Sequence, residues 1–410
     1  MEWKVPFVDP KQHYRKLKAE IDAAIGDCLT HGDLICRRHL EDFEAHFAAF
    51  VGVKFAVGLN SGYHALEFSL RAAGIGSDDQ VIVPAHTFVA TVSAIVNCGA
   101  RPVLVDVRKD FNLDPAAFAA AITPRTKAVI PVHLNGRVCE MDRIMEISGR
   151  HGLVVIEDAC QSLGASHKEK KAGSFGLTGC WSFYPFKLLG GFGDGGAITT
   201  DDPRVARMVT LLRYNGEDRK TGEYHYHGQT ALLDNVQAAV LDTKLRHVTD
   251  WINHRRKIAE LYRSGLDGIP GLKLPHFSPR HHFDVFQNYV VRTKFRDPLR
   301  EHLTREGIET LVSWPRPMWH YKGLALGDLH LPETESICRE VLSLPVSAET
   351  TPEHVNITVR AVRDFFANED TAHLEALPVE DIIRGDLASA NGPRNPSIAN
   401  SRDVGRVRDG

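Results

Sequence analysis

Lys187 stands between an apolar run and a stretch of glycines. It closes the segment Ser182-Phe183-Tyr184-Pro185-Phe186-Lys187, and Gly190-Gly191-Phe192-Gly193-Asp194-Gly195-Gly196 follows. A lysine amine forms a Schiff base with an aldehyde, and burial near cations brings its pKa into the range of base chemistry. Glycines let the backbone turn sharply and approach a bulky group closely. Upstream, the apolar run Leu153-Val154-Val155-Ile156 ends in Glu157-Asp158-Ala159-Cys160-Gln161-Ser162. An aspartate at the carboxyl end of a buried strand is the partner that a pyridinium nitrogen needs. The amine and the carboxylate together point to pyridoxal 5′-phosphate (PLP).

These residues must be carried by a sheet. From Phe55 to Thr200 short apolar runs alternate with helix-like segments. The runs are 55–57, 80–83, 101–105, 128–132, 153–156, 180–183 and 196–200. Continuous apolar character predicts strands buried on both faces, the habit of parallel sheets covered by helices. Helices are expected over 64–73, 88–97, 115–121 and 141–151, with Asp114-Pro115 as cap and first residue of the third. The series is βαβ, hence an α/β fold with right-handed crossovers. After Gln237 the pattern turns helical, with 238–245 running into 251–261. A second, α+β region follows: a strand over 286–291, a helix over 297–306 stopped by Gly307, and a last helix over 353–366. The expected division is a large domain at 1–245 with an N-terminal helical arm, a small domain at 246–368, and a polar tail at 369–410, disordered or extended.

Six motifs occur in order: Asn60-Ser61-Gly62, Pro84-Ala85-His86-Thr87-Phe88, Val132-His133-Leu134-Asn135-Gly136, Glu157-Asp158-Ala159, Ser182 to Lys187, and Gln237-Ala238-Ala239. From Pro6 to Phe366 the chain resembles the sugar-nucleotide aminotransferases of the DegT/StrS type. That resemblance implies a PLP-dependent transferase of fold type I, with a mostly parallel seven-stranded sheet between helices. It makes Lys187 the Schiff-base anchor and proton shuttle, and Asp158 the partner of the pyridine nitrogen. Gln161 matches the residue that hydrogen-bonds near the ring hydroxyl, and Phe88 the aromatic that stacks on the ring. The cofactor phosphate is expected on backbone donors of Ser61, Gly62 and Tyr63 at a helix N-terminus, with the Ser182 hydroxyl beside them. Two departures stand out. The family usually shows Gly-Thr where this chain has Gly62-Tyr63. In 228–237 it commonly reads Gly-Tyr-Asn-Ser-Arg-Leu, whose asparagine reaches the phosphate of the neighbouring subunit's cofactor; Thr230 and Leu232 take the asparagine and arginine places here. Thr230 keeps a hydrogen-bond donor with shorter reach. The resemblance further implies a homodimer with composite sites.

The expected activity is transfer of an amino group from an amino acid, by resemblance L-glutamate, to a keto sugar carried on a nucleotide, with ping-pong kinetics. Ser313-Trp314-Pro315-Arg316-Pro317-Met318-Trp319-His320 is expected to line the acceptor pocket. A cyclitol ketone is an alternative acceptor. Dehydratases of the same fold lack the Schiff-base lysine, so Lys187 argues against that chemistry. A regulatory protein that binds cofactor or sugar without turnover is the reading from another class.

Bulk properties agree with an enzyme of small molecules. A net charge of -3 leaves no footprint for nucleic acid or an acidic membrane. No apolar run is long enough for a bilayer, and the N-terminus has no signal pattern, so a cytoplasmic protein is expected. The seven cysteines are scattered and read as reduced thiols, with Cys160 and Cys180 as small buried hydrophobes. No metal site is apparent. His281-His282 and His225-Tyr226-His227 lack zinc spacing and are expected on surface loops, while His86 and His133 are expected to be structural or to line the pocket.

Overall fold

The seven apolar runs become one sheet. In the computed structural model, which describes residues 3–276 and 280–368, its strands are β1 (Phe55–Leu59), β2 (Gln80–Pro84), β3 (Arg101–Val105), β4 (Thr126–Val129), β5 (Val154–Asp158), β6 (Thr178–Ser182) and β7 (Gly196–Thr200). Across the sheet they lie in the order β1-β7-β6-β5-β4-β2-β3. Only β7 opposes its neighbours, pairing antiparallel with β1 and β6; the other pairs are parallel. Ser182 pairs with Gly196, so residues 183–195, Lys187 among them, form a loop closed at its root by adjacent strands. The edge position of β3 explains how it tolerates Pro102, since an edge strand has a free side where no ladder bond is needed.

Helices cover both faces, because strands buried on both sides need two apolar layers. On one face the helices Arg38–Val51, Met141–His151 and Asn235–Leu245 contribute Phe43, Phe47, Ile144 and Leu241 to the core. On the other, Gly62–Ala72, Val89–Asn97 and Pro203–Leu212 contribute Leu66, Phe68, Ile95 and Val209. Phe47 meets Trp181 and Phe183 edge to face at 5.4 and 5.2 Å. Each such ring is worth about 2–3 kcal/mol of burial. Trp181 and Phe183 therefore anchor the end of β6 on the core side, and strand alternation turns Ser182 to the opposite face.

A second core forms around Tyr262, Leu303, Leu344 and Phe365. Its strands β8 (Tyr289–Arg292) and β9 (Val341–Leu344) pair antiparallel. The strand expected from Phe286 begins three residues later, because Phe286 takes φ +51°, which extended backbone excludes. The helical run after Gln237 is two helices, Asn235–Leu245 and Val248–Leu266, broken at Arg246-His247. Gly307, at φ +79°, follows the helix Arg296–Arg305 and its cap Glu306. The described residues pack as one compact unit. The tail at 369–410 lies outside the described residues.

Candidate active site

The carboxyl ends of β1, β2, β5 and β6 surround a cavity of about 580 Å³. Ligands of doubly wound sheets bind at this end, beside the place where the strand order reverses. Ser61, Gly62, Tyr63, Phe88, Asp158, Gln161, Ser182 and Lys187 all line it. Eight of the nine residues singled out from the sequence thus meet in one space. Thr230 does not line it; it is exposed, and its hydroxyl donates to Asn215 Oδ1 at 3.1 Å.

Asp158 ends β5 and is 6% exposed. Its Oδ2 accepts from Thr91 Oγ1 at 2.9 Å and its Oδ1 from the Cys160 amide at 3.2 Å. An ionised carboxylate only accepts, so Thr91 is the donor and its own oxygen takes the proton of Thr87 Oγ1, 2.9 Å away. Thr87, Thr91 and Asp158 form a directed chain of hydrogen bonds that fixes the carboxylate. Glu157, one residue earlier, points to the other face. There its oxygens accept from the amides of Gly173, Phe175 and Gly176 and face His133 Nε2 at 2.9 Å. The Cys139 amide donates to His133 Nδ1 at 3.1 Å, which leaves Nε2 to donate to Glu157. Glu157 and His133 are structural: they hold the turn that leads into β6.

The helix Gly62–Ala72 points its N-terminus at the cavity. Ser61 caps it, accepting from the His64 amide at 3.1 Å. The helix offers the amides of Gly62 and Tyr63 no carbonyl of its own, and the dipole adds partial positive charge. A Cβ on Gly62 would stand 2.9 Å from Ser182 Cβ and 3.0 Å from Cys160 Sγ. Only glycine lets the helix start come this close to the end of β6. The Tyr63 hydroxyl accepts from Asn97 Nδ2 at 2.6 Å, so what this residue can offer an anion at the helix start is its backbone amide.

The two cysteines carry no chemistry here. Desolvation and the charge of Asp158 push the Cys160 thiol well above its ordinary range. Cys180 is fully buried, and burial raises it likewise. His86 is buried too, and burial with the nearby charge of Arg292 holds its pKa down to about 3. It packs edge-on against Trp314 at 5.1 Å. Of the segment 313–320, Trp314 alone reaches this cavity, and Trp319 is buried elsewhere. His282, expected on a surface loop, is buried with His167 at 3.2 Å and Arg137 at 3.3 Å. Among the described residues no group of three or more His, Cys, Asp or Glu could hold a metal ion.

A profile of the DegT/DnrJ/EryC1/StrS aminotransferase family matches residues 15–363. The chain belongs to this family. It is 42% identical to the dTDP-3-amino-3,4,6-trideoxy-alpha-D-glucose transaminase of Streptomyces venezuelae, over 90% of this chain and 98% of that one. The crystal structure of S. venezuelae DesV in complex with a ketimine intermediate superposes with a TM-score of 0.87 at 42% identity, covering 90% of this chain and all of that one. NtdA of Bacillus subtilis, solved with bound cofactor PMP, gives a TM-score of 0.83 at 27% identity over 90% of this chain and 86% of that one. As a DegT-family aminotransferase, the protein presents four polar cavity residues to which motif reading gave no role: Thr87, Thr91, Tyr184 and Asp194. Thr91 stands in the first turn of the helix Val89–Asn97 and Thr87 just ahead of its cap Phe88, so local spacing brings the two hydroxyls together.

Proposed function

We propose that the cavity holds PLP on Lys187 and that the protein transfers an amino group from L-glutamate to the keto group of a nucleotide-linked sugar. The observation that carries this reading is the meeting of Lys187, Asp158, Ser182 and the Gly62 helix start in one space. The donor set fits the cofactor: one amine for an aldehyde, one buried acceptor for a protonated ring nitrogen, and a cradle of amides that a single Cβ at Gly62 would fill.

When bound, the cofactor supplies an electron sink for the electrons of a broken Cα–H bond. The side chains do the rest. Asp158, held by Thr91 and the Cys160 amide, keeps a proton on the ring nitrogen by offering it a fixed negative charge. Lys187 Nζ would anchor the cofactor and, as a free amine, would carry the donor's Cα proton to the cofactor carbon that receives the electrons. The Gly62 and Tyr63 amides with Ser182 Oγ bind phosphate. Phe88, 57% exposed, lines the cavity, and so does Gln161. Trp314 offers a flat apolar wall to the sugar.

The same reading makes the protein a cytoplasmic homodimer of a large domain, 1–245, and a small one, 246–368. The separate core around Tyr262 and Leu344 supports the division. Exposed Phe88, Tyr184, Phe186 and Phe192, on and near the cavity, support a second copy over this face, with Thr230 reaching the neighbour's cofactor. Among the described residues no helix is long and apolar enough to cross a membrane.

Absorbance spectra of the full-length protein with PLP test the chemistry. The wild type should show the band of lysine-linked cofactor, lose it on addition of glutamate, and regain it with the correct keto-sugar nucleotide. Lys187→Ala should never form that band. A wild type that binds no PLP, or keeps its band with every amino donor, would overturn the proposal.

A further inference from the structure

Lys187 sits on a tight turn, its amide donating to Tyr184 O at 2.8 Å. The peptide groups on both sides of it are held by one side chain from 100 residues further along. Gln287 Oε1 accepts from the Leu188 amide at 2.9 Å, and Gln287 Nε2 donates to Phe186 O at 3.1 Å. The two bonds demand the same amide orientation, since an N–H faces the oxygen and a carbonyl faces the nitrogen. Gln287 is 8% exposed, so both bonds are shielded from competing water.

The clamp is itself anchored. Buried Arg255 donates through Nη1 to the carbonyls of Phe286 at 3.0 Å, Gln287 at 3.2 Å and Val346 at 2.8 Å. Next in sequence, Asn288 Nδ2 donates to Asn135 Oδ1 at 3.1 Å, and the Asn135 amide donates to Gln161 Oε1 at 3.0 Å. The Gln287-Asn288 pair therefore ties together the turn that bears Lys187 and the Gln161 wall of the same cavity. The left-handed Phe286, which delays β8, brings Gln287 to this place instead of into the ladder.

We infer that Gln287 is a positioning residue for Lys187: it fixes the backbone on both sides of the lysine, and through it the direction in which Nζ is offered to cofactor and substrate. This rests on the reading of Lys187 as the cofactor anchor. Glutamine is the residue type the task requires. Leucine of similar size offers neither bond. An ionised glutamate accepts from Leu188 but sets an oxygen against Phe186 O. A protonated glutamate restores one donor and one acceptor.

The test compares wild type, Q287L and Q287E. In the full-length protein without added cofactor, hydrogen exchange over 186–190 should be about tenfold faster in Q287L, as expected for loss of the bonds that close this turn. With PLP and both substrates, kcat of Q287L should fall roughly 10- to 100-fold with KM nearly unchanged. Q287E should behave like Q287L at pH 8 and recover toward wild type at acid pH, where a carboxyl whose ordinary pKa of about 4.3 is raised by burial regains its proton, while Q287L should not recover. Unchanged exchange in Q287L overturns the clamp, whatever becomes of Lys187. Equal losses in Q287E and Q287L at every pH overturn the positioning role. Failure of the anchor reading shows elsewhere, as a lysine-linked band that survives Lys187→Ala.

Discussion

Thr91 Oγ1 donates to Asp158 Oδ2 at 2.9 Å, the last link of a chain that starts at Thr87. A hydrogen bond to a charged group is worth about 1.5–3 kcal/mol. Thr91→Val, which keeps the shape and removes the donor, should therefore lower kcat about tenfold or somewhat more. Asp158→Asn removes the charge itself and should cost roughly 10³-fold. Steady-state kinetics of both variants check this, and a Thr91→Val loss equal to that of Asp158→Asn would contradict the ordering.

Gly62 decides whether the helix start proposed to bind the cofactor phosphate can stand against Ser182. Alanine is the better helix former, so propensity alone predicts a gain for Gly62→Ala. Its methyl, however, meets Ser182 Cβ at 2.9 Å and Cys160 Sγ at 3.0 Å. The helix start must retreat from Ser182, and PLP affinity should fall at least about tenfold. Equilibrium dialysis with PLP measures it. Pyridoxal without its phosphate should bind both proteins alike.

Lys244 should make stability depend on alkaline pH. It is buried, donates from Nζ to Gly190 O at 2.6 Å, and burial brings its pKa down to about 8, against an opposing pull from Glu349. Between pH 8 and the ordinary lysine value the unfolded chain binds a proton that the folded one does not, so stability rises with pH there. The rise is at most about 3 kcal/mol, and below pH 8 the penalty is fully present. Denaturant midpoints at pH 7.5 and 9.5 should show this gain in wild type and a smaller one in Lys244→Met.

Trp314 is the cavity wall supplied from beyond the main sheet, standing against His86. Trp314→Ala should raise KM for the keto-sugar nucleotide about tenfold, the value of one aromatic face. The half-reaction with glutamate should change less than twofold. Single-turnover spectra with each substrate alone separate the two.

The sheet was legible because its strands are buried on both faces and read as unbroken apolar runs. Met141–His151 matched its pattern to the residue, and Asp114 caps Pro115–Ala120 as read. Boundaries slipped where backbone geometry overrode pattern. Phe286 is apolar and in phase with β8, yet its positive φ excludes it. The site was legible where each residue sits in a local motif, as Lys187 and Asp158 do. Gln287 was not, because its partners, Phe186 and Leu188, are a hundred residues away and nothing near it in sequence marks a clamp. His282 was misplaced for a like reason: its burial comes from Arg137 and His167, distant in the chain.

The pairing of Ser182 with Gly196 has a consequence for the order in which the protein is made. The hairpin that carries Lys187 is local, so it can close once residue 200 is synthesised. The side chains that stiffen its loop come later: Gln237, which accepts from the Phe192 amide, then Lys244, then Gln287. Until the second core forms, the loop that bears the lysine lacks its clamp at Gln287. On the proposed role of Lys187, competence to hold the cofactor rigidly arrives with the last third of the chain, which makes correct docking of that part a checkpoint on the chemistry of the first.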